Sequence, residues 1–378
     1  MKILIAPDSF KGSMDALNAA EIIKKGCLIA NPNAHCVIQP IADGGEGTLE
    51  ILLQQLHGHA IYFNVNDALS SSIKAPLGWV AEQQLAIIEI ASIVGLYSLN
   101  KTRRNPALTS TFGVGQLIKH ALKLGAKTIL ITLGGSSTND GGVGMLQALG
   151  AVFLDQSGND LPLGGIAIKQ LHKIDLKRLD SRLAQCNIIA ACDVDNPLCG
   201  PRGADKNLVK QLDQALMQLE KVSQPILEQH NPCNTLEKPI AKQAGTGAAG
   251  GLGFTLKGFL AAELQSGAEL VLQTLNISKN LNSIDLVITG EGQIDWQTQF
   301  GKAPWQLMLA AHQKHIPVIG LCGRKGRGWQ QLLSNGDSKG FRLIKSITPN
   351  HQTIDQAMAN AETNLFQASY QVIKQWQN

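Results

Sequence analysis

Short apolar segments alternate with helical patterns along most of the chain, which is typical of α/β folds. Nearly continuous apolar runs predict strands at 2–7, 35–42, 283–289, 316–322 and 341–347, with a further candidate strand at 60–65. Strands of a parallel sheet have this pattern because helices cover both of its faces. We therefore predict an α/β fold built on a doubly wound, mostly parallel sheet.

Helical periodicity is present between these strands and at the end of the chain. Ser13 is placed to cap a helix that runs to about Lys25, and residues 48–56 form another helical pattern. The last helix has the clearest pattern, with apolar side chains at helical spacing at Met358, Ala361, Leu365, Ala368, Val372 and Trp376. Polar residues lie between them, so we expect this helix to pack one face against a core.

The middle of the chain is less regular and indicates a second domain. The segments that read as weakly alternating stretches, loops or polar connections are 66–110, 154–165 and 224–239. We infer that residues 1–68 and 284–378 form one doubly wound domain, Rossmann- or flavodoxin-like. Residues 69–283 are then an inserted α/β domain.

Composition and charge exclude several classes of protein. The chain has 378 residues, of which 44% are hydrophobic and 16% charged, and its formal net charge is +4. This small charge, and a basic cluster at 323–328 without interleaved aromatic residues, argue against nucleic acid as a partner. Seven cysteines, an odd number without a CxxC pair, argue against a disulfide framework or a zinc site.

No apolar run reaches the roughly 18 residues of a membrane span. The first apolar run, at 2–7, is too short for the core of a signal peptide. We expect a cytoplasmic protein without a membrane partner.

Glycine, small polar residues and carboxylates recur together at junctions between strands and helices. These junctions are DSFKGS (8–13), DGGEG (43–47), GGSSTNDGGVG (134–144), DVDNPLCG (193–200), GTGAAGGLG (245–253) and GEGQID (290–295). A single glycine-rich turn is more often structural, since glycine is the usual residue of tight turns. Six of them, at the positions where open parallel sheets bind ligands, favour a ligand site.

The residue types at these junctions suit a magnesium nucleotide. Backbone N–H groups near helix N-termini bind phosphate, whereas carboxylates repel it unless a cation lies between. Mg²⁺ prefers one or two carboxylates plus phosphate oxygens. Asp193 and Asp195 are two residues apart, so on an extended segment they face the same side, although both are also suited to a turn or a helix cap. Lys11 follows the first strand, where it is either a ligand or a solvated loop residue.

Several familiar signatures are missing. The chain has no P-loop, no GxSxG elbow and no HExxH motif. GxGxxG does not follow the first strand, which counts against the rival interpretation of an NAD-linked oxidoreductase.

Long motifs resemble the bacterial type-1 glycerate kinases. They are APDSFKGS (6–13), PIADGGEGT (40–48), GGSSTNDGGVGMLQALGA (134–151), ACDVDNPLCGPRGA (191–204), GAAGGLGF (247–254), DLVITGEGQID (285–295) and GKAP (301–304). The resemblance implies ATP-dependent phosphorylation of D-glycerate at the 2-hydroxyl. It also implies two α/β domains around a cleft that holds the active site, one of them built from both chain ends.

The chain departs from the family pattern at several places, among them Trp305 and Gln306, where the family has smaller residues. A glycine- and lysine-containing loop that the family has after the GPxGA element is missing after Ala204. Arg324, Lys325 and Arg327 stand where the family has a small neutral turn; they are candidates for phosphate contacts, but a solvated loop is the more common role of such residues.

The residue pattern and the resemblance together suggest roles for individual side chains. We assign Asp193 as the general base, and Lys11 and Asp43 as the other catalytic residues. The nucleotide is bound by Gly134, Gly135, Ser136, Ser137, Thr138, Asn139, Gly290, Gly292 and Lys302. Glycerate is bound by Ser9, Asn196, Thr298 and Asp295, and Mg²⁺ by Asp195 and Glu291.

Two alternative functions share this chemistry. One is a kinase for another small sugar acid or polyol, and the other is a non-catalytic nucleotide-binding relative that lost activity with the missing loop. In each case the partner is a small molecule, and the protein is a monomer or a homodimer.

Overall fold

The computed structural model describes residues 1–96, 98–199, 206–230, 239–335 and 338–377. The predicted loop deletion after Ala204 lies outside the described residues. The described part forms two compact units: 1–43 with 50–55 and 268–378, and 44–49 with 56–267. No helix in these described ranges is long and apolar enough to cross a membrane.

The strands, in chain order, are β1 (Lys2–Ile5), β2 (His35–Ile38), β3 (His59–Asn66), β4 (Ser72–Val80), β5 (Leu85–Glu89), β6 (Thr128–Thr132), β7 (Val152–Leu154), β8 (Lys173–Asp175), β9 (Asn187–Ala191), β10 (Glu263–Gln265), β11 (Leu286–Ile294), β12 (Val318–Lys325) and β13 (Leu343–Ser346).

The α-helices are α1 (Ala16–Ala30), α2 (Thr48–Gln55), α3 (Ala91–Val94), α4 (Phe112–Lys123), α5 (Val143–Ala148), α6 (Lys206–His230), α7 (Ala248–Leu260), α8 (Gly267–Thr274), α9 (Ile277–Asn280), α10 (Ala303–His312), α11 (Ile354–Ala359) and α12 (Ala361–Trp376). Short 3-10 turns connect several of these elements.

The first unit contains a five-stranded, fully parallel sheet in the order β13-β12-β11-β1-β2. Its inner strands are apolar on both faces because helices flank the sheet, as the sequence predicts for this fold class. Ile5 of β1, Ile288 of β11 and Ile319 of β12 share a buried core with Ile23 of α1 and Leu365 of α12. The α/β class and the predicted parallel strands are thereby confirmed.

The start of α1 differs from the expectation. Asp15, not Ser13, is the N-cap, and its side chain accepts a hydrogen bond from the Asn18 backbone N–H at 2.7 Å. Ser13 lies in the preceding turn and donates its hydroxyl to the Phe10 carbonyl at 2.9 Å. Both residue types cap helices well, so only the path of the chain decides between them.

The second unit contains a six-stranded sheet in the order β10-β9-β6-β5-β4-β3 and a small β7-β8 hairpin. Neighbouring strands from β10 to β5 are parallel, whereas β5, β4 and β3 are antiparallel. Apolar side chains of α4, α5, α6 and α7 share one large core with the six-stranded sheet.

The candidate strand at 60–65 is present as β3, but it pairs with β4 in the second sheet and not with the first domain. The two units divide near residues 56 and 268, whereas the sequence placed its boundaries at 69 and 284. In the first unit, the buried Gln39 side chain donates to the Leu275 carbonyl at 2.7 Å and accepts from Asn280, tying the helices before residue 284 to β2. The cleft between the domains stays a prediction.

The segment 224–239 is not a simple polar connection. Helix α6 continues through Pro225 to His230, because Leu227 remains buried against α7 beside Gly258. Residues 231–238 lie outside the described part.

Candidate active site

Charged side chains converge at the carboxyl ends of β1 and its neighbours in the first unit. The Lys11 Nζ lies 3.4 Å from Asp43 Oδ2. Asp8 interacts electrostatically with both and is only 5% exposed. Because β1 lies between β2 and β11, the loops that follow these strands meet at one edge of the sheet.

A second ion pair belongs to the same group. Glu291 of β11 is buried, and its Oε2 accepts a hydrogen bond from Lys302 Nζ at 2.8 Å. Its Oε1 accepts from the Thr298 hydroxyl at 2.9 Å. Lys302 is the N-cap of α10, so the start of that helix positions a cation over the sheet edge.

The crowding of carboxylates shifts several pKa values. Burial, and then the charge of Asp43, raise the pKa of Asp8 to about 8. Burial also raises the pKa of Glu291, although Lys302 and Thr298 oppose this shift. For Lys11, the partial desolvation of a mostly exposed side chain favours a lower pKa, but the carboxylates of Asp43 and Asp8 outweigh it and the pKa is raised. Such opposed shifts are typical of functional sites.

Asp8 is a further residue of this group, to which the sequence alone assigns no role. Asp8 is the first residue of DSFKGS and directly follows the first strand. An aspartate three positions before a lysine does not by itself indicate a site. Only its burial and the approach of Asp43 distinguish it.

The predicted residues near this group divide into two sets. Ser9 and Gly292 line the same cavity as Lys11, Glu291 and Lys302. Gly290 instead permits close packing, since a side chain there would collide with the Leu321 carbonyl of β12. The structure thus brings Ser9, Gly292 and Lys302 to the cavity that Lys11 and Glu291 also line, whereas Gly290 has a packing role.

Asp295 and Thr298, predicted to bind glycerate, have local structural partners. Asp295 caps the 3-10 turn Trp296–Gln299, accepting from the Gln297 N–H at 2.9 Å, and Thr298 completes a capping box. The Thr298 hydroxyl also holds Glu291. These contacts indicate that both residues orient the site; their contact with substrate stays a prediction.

The GGSSTN loop of the second unit is hydrogen-bonded both within itself and to the segment around Val94. Ser136 and Thr138 share a hydroxyl–hydroxyl bond of 2.7 Å, and the Thr138 N–H donates to Ser136 at 3.0 Å. The Ser137 hydroxyl donates to the Val94 carbonyl at 2.7 Å. These contacts make the loop rigid, so ligand binding by it would depend on backbone groups more than on hydroxyl groups.

This loop packs closely against the DGGEG segment that it resembles in sequence. The Gly134 N–H donates to the Gly44 carbonyl at 3.3 Å, and a Cβ on Gly134 would lie 2.6 Å from the Gly45 Cα. Gly135 has a positive φ of 74°, which disfavours other residues. Asn139 follows, and its carbonyl packs against Gly165. Two glycine-rich segments thus approach each other backbone to backbone.

Asp140 is a structural residue of this loop. It is 1% exposed, and its carboxylate accepts from the N–H groups of Thr111, Gly142 and Gly144 and from the hydroxyls of Ser110 and Thr111. Burial raises its pKa, while these hydrogen bonds act in the opposite direction. The carboxylate joins the start of α4 to the start of α5.

We expect Asp140→Asn to lower the free energy of unfolding by about 3 kcal/mol, because an amide NH₂ would face backbone donors. Denaturant titration of the variant measures this loss. The exposed residue Asp160 provides the matched control, since Asp160→Asn should leave stability unchanged. Equal stability of the two variants would contradict the structural role.

Asp193 lies just beyond β9 and is oriented by two hydrogen bonds. Its Oδ1 accepts from the Gly267 N–H at 2.8 Å and from the Ser266 hydroxyl at 3.0 Å. A Cβ on Gly44 would lie 3.7 Å from its Oδ2, so Asp193 faces the DGGEG segment. Asp195 is exposed, and the backbone of Asn196 accepts from the Gly247 N–H at 3.0 Å.

The carboxylates of this site are of the chemical type that binds a divalent cation such as Mg²⁺. Among the described residues, no three histidine, cysteine, aspartate or glutamate side chains are grouped as a metal site. Mg²⁺ in nucleotide sites uses only one or two carboxylates plus phosphate oxygens and water. Asp8 and Glu291 line the same cavity, so their carboxylates are candidates to hold such a cation. The predicted ligands Asp195 and Glu291 belong to different units.

Comparison with known proteins places these observations in a family. The family model described as glycerate kinase family matches residues 3–377. A glycerate kinase of Halalkalibacterium halodurans is 40% identical over 99% of this chain and 98% of its own length. The glycerate 2-kinase of Escherichia coli K12 is 38% identical over 98% of this chain and 96% of its own length.

A solved structure agrees with these sequences. A crystal structure from Salmonella typhimurium LT2, assigned as a glycerate kinase 2, has a TM-score of 0.81 and 37% identity. It covers 100% of this chain, which in turn covers 98% of that one. Since family model, sequences and fold agree over nearly the full length, the chain belongs to the glycerate kinase family, whose members are phosphotransferases.

Proposed function

We propose that the protein transfers the γ-phosphoryl group of ATP to the 2-hydroxyl of D-glycerate in a Mg²⁺-dependent reaction. The observation that carries this proposal is the charged group at the edge of the first sheet. Lys11 and Lys302, each paired with a carboxylate, supply the cations that phosphoryl transfer needs. The E. coli relative named glycerate 2-kinase supports the acceptor and the position.

Asp193 is the proposed general base. As the 2-hydroxyl oxygen of glycerate bonds to the γ-phosphorus, its proton passes to the Asp193 carboxylate, and the bond from phosphorus to the ADP oxygen breaks. The hydrogen bonds from Ser266 and Gly267 hold this carboxylate in one orientation. Positioning of this kind is the main contribution of a protein to phosphoryl transfer.

The cationic side chains have a separate task. Lys11, whose side chain is 66% exposed, and Lys302 are available to neutralise phosphate or the glycerate carboxylate. Asp43 orients Lys11, and Glu291 orients Lys302. Mg²⁺ would withdraw charge from the phosphate oxygens when bound, and Glu291 and Asp195 each stay proposed ligands for it.

The remaining assignments are proposals of the same kind. The backbone at Gly134 and Gly135 and the loop through Asn139 contact phosphate, while Ser9 and Asn196 contact glycerate. The rigidity of the loop supports a preorganised role, because hydrogen bonds within the loop and to the Val94 carbonyl hold it in one conformation.

The function is tested by supplying ATP, Mg²⁺ and D-glycerate and coupling the product to enolase. We expect a signal without added phosphoglycerate mutase, since enolase consumes 2-phosphoglycerate directly. A signal that requires mutase would indicate the 3-isomer and contradict the assigned position. ADP release with other sugar acids or polyols, but not with glycerate, would favour another acceptor, and ATP binding without ADP release would favour a non-catalytic relative.

A further inference from the structure

A cavity of about 810 Å³ opens at the carboxyl edge of the first sheet. Residues that follow β1 and residues at the carboxyl ends of β11, β12 and β13 line one side of it, and α11 lines another. Sites for drug-sized ligands span roughly 300–1,000 Å³. The cavity is therefore of nucleotide size and much larger than a three-carbon acid requires.

One end of the cavity is strongly charged. Asp8, Lys11, Glu291 and Lys302 line it, and they include both ion pairs of the candidate site. Phosphate groups bind where positively charged side chains and a bound metal ion act together. This end of the cavity has lysine ammonium groups as the cations and carboxylates as ligands for a metal.

The opposite wall is apolar and partly open. Ile354, Ala357 and Met358 of α11 line it, together with Ile347 after β13. Ile354 and Met358 are large apolar side chains left exposed. Gly12 leaves room for Met358, since a Cβ there would lie 2.9 Å from the Met358 Cε. Such a surface suits the flat face of a purine base.

A basic edge connects the two ends. Arg324 donates from Nε and Nη2 to the Gln293 Oε1 at 3.1 and 2.6 Å, and Gln293 is in turn bonded to Asp295 at 2.5 Å. This chain of bonds fixes the guanidinium while using two of its five donors. The Lys325 Nζ lies 3.9 Å from the centre of the Trp329 ring. Both basic side chains therefore line the cavity in defined positions, although the sequence favoured a solvated loop.

We propose that this cavity is the nucleotide site, with the purine against Ala357 and Met358 and the phosphates along Arg324 towards Lys11 and Lys302. This inference rests on the proposed function in naming ATP as the nucleotide. It goes further by assigning the base to α11 and by giving Arg324, a departure from the family pattern, a role in phosphate binding.

The first test fills the base end. In Ala357→Trp the new side chain occupies the apolar wall, so the Kd for the Mg²⁺ complex of adenylyl imidodiphosphate should rise by about tenfold or more in calorimetry. The Kd for Mg²⁺-tripolyphosphate, which has no base, should stay within about twofold. Ala359→Trp is the matched control, because Ala359 is on the same helix, is exposed and does not line the cavity.

The second test removes the basic edge. Arg324→Gln should raise the Kd for both the nucleotide analogue and tripolyphosphate by about three- to tenfold, because a charged donor to phosphate is lost. Arg327→Gln, which changes an exposed arginine outside the lining, should raise neither. This second pair decides the question if Ala357→Trp does not fold, which its thermal unfolding curve reveals.

The outcomes separate the inference from the proposed function. Weaker nucleotide binding in the two cavity variants but not in their controls supports the site, even if wild-type protein does not phosphorylate glycerate. Unchanged Kd values in folded variants overturn the site, even if wild-type protein is an active glycerate kinase. Absence of nucleotide binding by wild-type protein also overturns it.

Discussion

Replacing Asp193 by asparagine should lower kcat for glycerate phosphorylation by about 100- to 10,000-fold, the usual contribution of a general base. The variant is informative because asparagine retains the Oδ1 oxygen that accepts from Ser266 and Gly267. Its orientation is thus preserved, while its ability to take a proton is lost. The coupled enolase assay under saturating ATP and glycerate measures this change.

Stability and substrate binding provide the controls for this experiment. The free energy of unfolding of Asp193→Asn should stay within about 1 kcal/mol of wild type, because asparagine keeps an oxygen that accepts from Ser266 and Gly267. Asp160→Asn, a surface change in the same unit, should retain full kcat. Near-normal turnover of Asp193→Asn would show that another group accepts the proton.

Replacing Asp8 by asparagine should change how stability depends on pH. The pKa of Asp8 is raised from 3.8 to about 8, chiefly by burial and then by Asp43, with Lys11 acting in the opposite direction and Glu291 adding to the rise. Folded protein therefore retains a proton that the unfolded chain releases above pH 4. The stability associated with that proton is complete below the unfolded pKa and is lost as pH rises to about 8.

The size of this effect is on the order of 5 kcal/mol between pH 4 and pH 8, since each unit of pKa shift corresponds to about 1.4 kcal/mol. Asp8→Asn has no such proton, so it should become more stable relative to wild type as pH rises through this range. Denaturant titrations at several pH values, without nucleotide or Mg²⁺, measure the difference. Asp355→Asn, an exposed change in the same unit, should follow wild type; parallel curves for Asp8→Asn and wild type would contradict the buried, protonated state.

The sequence was most reliable where apolar residues are continuous. Strands β1, β2, β11, β12 and β13 were all predicted, because a strand buried on both faces needs apolar residues at successive positions. Strand β3 was also predicted, but its partner was not. Pairing with β4 depends on residues that alternate only weakly, and a strand pattern does not specify which neighbour completes its sheet.

The same distinction applies to the candidate site. Glycine-rich junctions with carboxylates are visible in a sequence because they interrupt apolar runs, and their order carries the family resemblance. The sequence does not show which role each carboxylate of these junctions has. Asp140 and Asp193 both follow a strand and stand next to small residues. Yet Asp140 is bonded to five donors in the core, whereas Asp193 accepts from Ser266 and Gly267 beyond the end of β9.

The sequence by itself determined the fold class, the parallel strands of the first sheet, the glycine-rich junctions and the family. These depend on local composition and on the order of motifs, both of which are properties of the linear chain. Only the tertiary structure decided that Asp8 is buried beside Asp43, that Lys302 pairs with Glu291, and that Arg324 lines a cavity with Met358. Burial and charge pairing arise between residues far apart in the chain, and it is these that set the pKa values and the shape of the site.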